Sequence, residues 1–212
     1  MKNELIKFIY NEKIYYLLLI CLGLLISYYY FPVYDQTIIN SALIISDEIN
    51  YKDQLTYQYL DSKNSWSLLL NLVIFFRKLN FNLDFINFFF LFLPLCMNLF
   101  GIFLISKIIS NNFIFSFLIS CFIVLGNIHL GNLDYPTTII NRNTGGMISQ
   151  ACSLLIFALI ADKKLNLAIV FSILLLGFHL VIGAWILLIL FLSIFLFGEK
   201  KIILSSLSKT YI

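Results

Sequence analysis

The sequence predicts an all-α fold: a polytopic transmembrane helical bundle of about six spans, with interfacial helices in the first outer loop. Composition is the first reason, since 61% of the 212 residues are hydrophobic and only 12% are charged. Soluble domains are about 45–50% apolar and about 25% charged, so the excess is expected to face lipid. Second, the apolar residues form runs, several near the roughly 20 residues that span a bilayer. Third, basic residues cluster between these runs, as topology signals do.

Several classes of protein are not indicated. The formal net charge of +3 is small for a nucleic-acid-binding protein, and no basic run is interleaved with aromatic residues. The sequence has no P-loop, GxSxG or HExxH motif. The cysteines lie inside apolar runs without CxxC spacing and are expected to be packing residues: Cys21, Cys96, Cys121 and Cys152.

The first apolar run, residues 13–32, is expected to be an uncleaved membrane anchor. It follows the basic residues Lys2, Lys7 and Lys13, which favour a cytoplasmic N-terminus. It is long enough to span the bilayer, carries tyrosines at both ends and lacks an A-x-A cleavage site. A signal peptide is therefore the weaker interpretation.

Residues 33–82 are expected to form the first outer loop, because acidic residues outnumber basic ones over most of their length. Within this loop, residues 66–79 are apolar but too short to span comfortably, and they end in Arg77 and Lys78. This pattern predicts an amphipathic helix lying in the membrane interface.

Three further apolar runs are predicted at about 83–106, 112–130 and 147–161. The first of them contains Pro94, which a membrane helix tolerates as a kink. A polar loop, residues 129–146, separates the other two.

The last apolar stretch, residues 165–197, must turn back on itself. As one helix it would measure about 50 Å, far more than the hydrocarbon core of about 30 Å. Lysine pairs flank it at 163–164 and 200–201, so both ends should face the cytoplasm. Within this stretch, glycine occurs only at positions 177 and 183, and glycine permits the backbone conformations that a turn requires. The turn is therefore expected in the segment 177–183. Each arm is then short, so we expect His179 at the turn to lie below the outer surface, in a protein-lined recess.

With six crossings, nine basic residues fall on the cytoplasmic side and five on the outer side. The chain, residues 1–212, is therefore expected to be a single transmembrane domain. A new apolar pattern begins at Ile202, which predicts further helices beyond the end of the sequence.

Ionisable side chains at membrane level cost free energy and are candidates for function. Five are predicted on the outer side: Asp35, His129, Asp134, Arg142 and His179. Asp35 and Asp134 could bind a divalent cation through carboxylate oxygens, or one of them could act as a general base. Arg142 suits bidentate binding of a phosphate, and His179 could donate a hydrogen bond to a leaving phosphate or shuttle a proton.

Each candidate also has a structural interpretation. Asp35 can cap an interfacial helix that begins near Thr37, and Asp134 can form a turn. Arg142 can extend its guanidinium to the lipid headgroups, and His129 can be an interfacial residue. His179 can bond a carbonyl left free at the helix break.

The layout of the chain resembles the C-type (GT-C) membrane glycosyltransferase superfamily. The resemblance rests on one N-terminal helix, the acidic Asp35 directly after it, a long first outer loop and closely connected spans. The Arg-Asn-Thr-Gly-Gly stretch from Arg142, and the Gly-Phe-His stretch ending at His179, are similar to those of uncharacterised bacterial members. Asp35 would match the acid of the first loop and Asp134 that of the second. The paired acids common in the first loop are absent at Asp35, and the pair at 47–48 could be the counterpart.

The resemblance implies a membrane glycosyltransferase at the outer face of a bacterial inner membrane, moving a sugar from a polyprenyl-phosphate donor. Its partners would be membrane lipids and the lipid-linked sugar, and not nucleic acid. The candidate cofactor is a divalent cation. Two alternatives stay open: a transporter or flippase for a lipid-linked or polar solute, and a non-catalytic membrane assembly subunit.

Overall fold

The computed structural model describes residues 11–30, 37–45, 67–126 and 145–197, and every regular element in these ranges is an α-helix. The helices are α1 (Glu12–Tyr30), α2 (Thr37–Ile45), α3 (Leu68–Lys78), α4 (Leu83–Ser110), α5 (Phe113–Leu125), α6 (Gly145–Ala161), α7 (Leu165–Phe178) and α8 (Leu180–Phe197). The prediction of an all-α fold is confirmed for this part of the chain.

Two of the described helices, α1 and α4, are long and apolar enough to cross a membrane, as judged by length and composition. The helices α5 to α8 are also apolar but shorter. The sequence predicted about six spans, whereas the described residues support two spanning candidates.

The packing centres on α4, which contacts α1, α5 and α6. Glycines permit the close approach of two of these neighbours. A Cβ on Gly101 would lie 3.0 Å from Leu154 Cγ of α6, and one on Gly23 of α1 would lie 2.8 Å from Cys96 Sγ of α4. Small residues at helix contacts are typical of bundles in lipid, where van der Waals packing drives association.

The link between α4 and α5 is shorter than predicted. The sequence placed the end of the run near residue 106, but α4 continues through Pro94 to Ser110. Asn111 then takes a left-handed conformation (φ 50°), and the side chain of Asn112 accepts a hydrogen bond from the Phe115 N–H at 3.1 Å. Asparagine tolerates the left-handed region and caps helices well, so two residues suffice to reverse the chain.

The predicted turn in the last apolar stretch is confirmed. Helix α7 ends at Phe178, α8 begins at Leu180, and only His179 separates them. A Cβ on Gly183 would lie 2.6 Å from the Leu176 Cα. In a continuous helix these residues would be about 10 Å apart along the axis, so α8 folds back against the end of α7.

Helices α2 and α3 pack against each other and against α4, and α3 also contacts α7. At the start of α3, the Leu68 Cβ lies 2.7 Å from where a Cβ on Gly177 would be. Near its other end, the Phe76 ring packs against the Phe85 and Phe89 rings of α4. Helix α3 therefore reaches from the α7–α8 turn to the start of α4. The predicted helix in this part of the first loop is present.

Candidate functional site

A cluster of four charged side chains joins three segments at one end of the bundle. The Lys107 Nζ, in the last turns of α4, lies 2.9 Å from Glu12 Oε1 and 2.9 Å from Asp162 Oδ1. The Lys164 Nζ lies 2.7 Å from Asp162 Oδ2. Glu12 opens α1, and Asp162 and Lys164 form the turn between α6 and α7. We call these four residues the ionic cluster.

Tyr16, one turn into α1, extends the ionic cluster. Its hydroxyl donates a hydrogen bond to Glu12 Oε1 and accepts one from Lys164 Nζ at 3.3 Å. The Lys164 ammonium also lies 5.7 Å from the centre of the Tyr16 ring, within the range of a cation–π interaction. Positive and negative charges alternate, and the charges of the four cluster residues balance.

Burial alone would raise the pKa of Asp162, but hydrogen bonds from Lys164 and Lys107 outweigh it, so the pKa lies below its ordinary value. The carboxylate is therefore charged at neutral pH. Because each charge in the cluster has an opposite partner, we interpret the cluster as a structural clamp and not as a catalytic site.

Sequence reasoning missed these pairs. It counted Lys107 and Lys164 among the nine basic residues of the predicted cytoplasmic side and did not consider Glu12. A usable signal was present, since all four charges stand at the ends of apolar runs on one predicted side.

His179 is the candidate residue that the structure describes, and it links two helices through three hydrogen bonds. Its N–H donates to the Leu175 carbonyl at 2.9 Å, and its carbonyl accepts from the Gly183 N–H at 2.8 Å. Its Nδ1 accepts a long hydrogen bond, 3.4 Å, from the Ile182 N–H. His179 thus closes α7 and acts as the N-cap of α8.

The capping bond, at 3.4 Å, fits one tautomer of the His179 ring. A nitrogen that accepts a hydrogen bond carries no proton, so in the neutral ring the proton lies on Nε2. The partly buried side chain can therefore donate a hydrogen bond to a ligand while it caps α8.

The lengths of the helices give the level of His179 in the bundle. From the ionic cluster, α7 rises about 20 Å between Lys164 and Gly177, at 1.5 Å per residue. Helix α4 rises about 36 Å between Lys107 and Leu83. Measured from the ionic cluster, the helical path to the α7–α8 turn is therefore about 16 Å shorter than the path along α4.

The other four site candidates lie outside the described residues: Asp35, His129, Asp134 and Arg142. Helix α2 begins at Thr37, so the helix that Asp35 would cap under its structural interpretation is present. Helix α6 begins at Gly145, shortly after Arg142, and α6 and α7 run antiparallel from their shared turn at the ionic cluster. The start of α6 and His179 therefore lie at the same end of this helix pair.

A metal site is not formed within the described ranges, where no three His, Cys, Asp or Glu side chains come together as a candidate. The two predicted carboxylate ligands, Asp35 and Asp134, lie outside those ranges.

Comparison with protein families, with characterised proteins and with solved structures finds no match to this chain.

Proposed function

We propose that the chain is an integral membrane protein with its N-terminus in the cytoplasm, and that α1 and α4 to α8 cross or enter the bilayer. The α7–α8 turn would form the floor of a recess open to the outer side. In this recess the protein would transfer a sugar from a polyprenyl-phosphate donor to an acceptor hydroxyl.

The surface of the bundle supports the membrane placement. Large apolar side chains are exposed on several helices, among them Leu25 on α1 (68%), Phe122 on α5 (76%) and Phe195 on α8 (71%). Water would not tolerate so much apolar surface on a monomer of this size, whereas lipid solvates it without cost.

The position of His179 is the observation that carries the functional proposal. With the ionic cluster at one edge of a hydrocarbon core of about 30 Å, an ionisable residue about 20 Å along α7 lies at membrane level. Such residues cost free energy and are candidates for function by default. The Nε2–H of His179 is suited to a phosphate oxygen, since the ring's other nitrogen is held by the Ile182 N–H.

The reaction would proceed as follows. Asp35 takes the proton of the acceptor hydroxyl, with Asp134 as the second candidate for this base. The acceptor oxygen forms a bond to the anomeric carbon as the bond between that carbon and the phosphate oxygen breaks. The lipid phosphate leaves with the bonding electrons, and Arg142 and His179 stabilise its charge. The choice of a sugar donor comes from the resemblance to GT-C glycosyltransferases.

Sugar transfer from a radiolabelled polyprenyl-phosphate donor, measured in membranes, tests this proposal. We expect Asp35→Ala and His179→Ala each to lower the rate by about a hundredfold or more. Asp53→Ala removes a carboxylate from the same predicted loop and should leave the rate unchanged. Transfer at the wild-type rate in both the Asp35 and His179 variants would contradict the proposed roles.

A further inference from the structure

The corner between α3 and α4 is a rigid structure. Asn80 takes a left-handed conformation (φ 61°), its N–H bonds the Arg77 carbonyl at 2.8 Å, and the Phe81 N–H bonds the Phe76 carbonyl at 3.1 Å. These two bonds form a Schellman motif, which closes α3. The Asn82 side chain then accepts from the Phe85 N–H at 2.8 Å and caps α4.

This rigid corner exposes apolar side chains. The Phe81 and Phe85 rings stack with their centres 4.7 Å apart, and the Phe76 ring meets both edge-on. Even so, Phe81 is 37% and Phe85 41% exposed, and Leu79 is also exposed. The hydrogen bonds fix the backbone here, so the exposure is a feature of the fold.

Cationic side chains stand beside these rings. Arg77 and Lys78 form the last turn of α3. The Arg77 Nη1 donates to the Phe81 carbonyl at 3.0 Å, which holds the guanidinium next to the aromatic pair. Lys78 is exposed, and so is Asp84, the acidic residue in the first turn of α4. Among the described residues of the corner, two cations stand beside one carboxylate.

The length of α4 gives the level of the corner relative to the ionic cluster. It places Leu83 about 36 Å from Lys107. If the ionic cluster lies at one edge of a hydrocarbon core of about 30 Å, the corner lies just beyond the other edge. Aromatic rings and basic side chains are enriched at this depth, where headgroup phosphates lie.

We propose that the α3–α4 corner binds the phosphate of an anionic phospholipid in the leaflet opposite the ionic cluster. Phe81 and Phe85 enter the boundary between headgroups and acyl chains, while Arg77 and Lys78 contact the phosphate. An apolar corner alone would suit a second protein helix equally well, and the adjacent cations favour a phosphate-bearing lipid. The site rests on the membrane placement proposed above but not on sugar transfer.

A single tryptophan at position 81 tests the site. The variant Phe81→Trp, made with Trp66→Phe and Trp185→Phe, is reconstituted into vesicles of phosphatidylcholine or of an equimolar mixture with phosphatidylglycerol. In each measurement, one of the two lipids carries bromine on its acyl chain near the headgroup. Bromine quenches tryptophan on contact, so the quenching reports which lipid occupies the corner.

We expect brominated phosphatidylglycerol to quench more strongly than brominated phosphatidylcholine. Adding Arg77→Gln and Lys78→Gln should weaken this preference by about fivefold for each charge removed. Lys13→Gln with Lys163→Gln removes the same charge from the other end and should leave the preference unchanged. Asp84→Asn should strengthen it, which gives a test of opposite sign if the double variant does not fold.

The possible negative results of the quenching experiment distinguish the proposed phosphate site from the proposed membrane placement. Equal quenching by both lipids would overturn phosphate binding and leave the membrane placement intact. No quenching by either lipid would mean that protein or water covers the corner, and would overturn the site together with the depth assigned to it. Sugar transfer is measured separately, so its loss or retention does not bear on this result.

Discussion

Lys107 lies 2.9 Å from Asp162, and this contact ties the end of α4 to the turn between α6 and α7. The same ammonium lies 2.9 Å from Glu12, at the start of α1. One side chain therefore holds together three segments that are far apart in sequence. It also establishes that their ends meet at one end of the bundle, as expected for segments that were assigned to one common side of a membrane.

Replacing Lys107 should destabilise the protein more than replacing Lys164. Lys107→Ala removes a cation that is 15% exposed and bonds two carboxylates, and we expect a loss of about 2 kcal/mol. Lys164 is 38% exposed and pairs with one carboxylate, so Lys164→Ala should cost about 1 kcal/mol or less. Unfolding in detergent, followed by circular dichroism, measures both. Equal losses would contradict the central role of Lys107.

Acid should loosen the ionic cluster. The pKa of Asp162 in the folded protein lies below its ordinary value of 3.8, so the contribution of Asp162 to stability is complete above that pH. The contribution is lost as the pH falls from there through the lowered pKa. Asp162→Asn should therefore reduce stability at neutral pH and flatten its decline below pH 3.8.

Gly183→Ala should disrupt the α7–α8 turn. The new Cβ would lie 2.6 Å from the backbone N and Cα of Leu176, and backbone cannot rotate away. We expect a loss of about 2–3 kcal/mol in thermal unfolding. Gly23→Ala is the matched control, because its Cβ meets the Cys96 sulfur at 2.8 Å and a side chain can shift. A mild effect of Gly183→Ala would mean that α8 does not fold back closely on α7.

Two replacements of His179 should separate capping from ligand binding. In Asn the amide oxygen takes the place of Nδ1, so His179→Asn should keep the cap and lose the Nε2 donor. In Gln the amide nitrogen takes the place of Nε2, so His179→Gln should keep the donor and lose about 1 kcal/mol of stability. Thermal unfolding and sugar transfer, measured on both variants, distinguish the roles. If every variant that loses sugar transfer also loses thermal stability, His179 acts only through the fold.

Apolar runs were sufficient to predict the described helices other than α2, because run length and composition determine which segments become helical in a chain this hydrophobic. The break at His179 was also predictable, since residues 165–197 are too long for one span. The ends of the helices were less predictable, because the left-handed conformation of Asn111 depends on local capping.

The candidate site was less accessible to sequence reasoning. Ion pairs such as Lys107 with Glu12 join residues that a linear pattern treats as unrelated. The dual capping role of His179 depends on the orientation of the ring, which spacing does not determine. Whether Asp35 and Arg142 converge with His179 stays a prediction.

The side from which the α7–α8 turn can be reached is the most direct test of the account. In a background with the four cysteines replaced, the variants His179→Cys and Lys163→Cys are labelled separately with a membrane-impermeant thiol reagent, in intact cells and in inverted vesicles. We expect the thiol introduced at position 163 to react only in inverted vesicles, and the thiol introduced at position 179 to react only in intact cells. Reaction of both positions from the same side would contradict the outward recess and the function assigned to it.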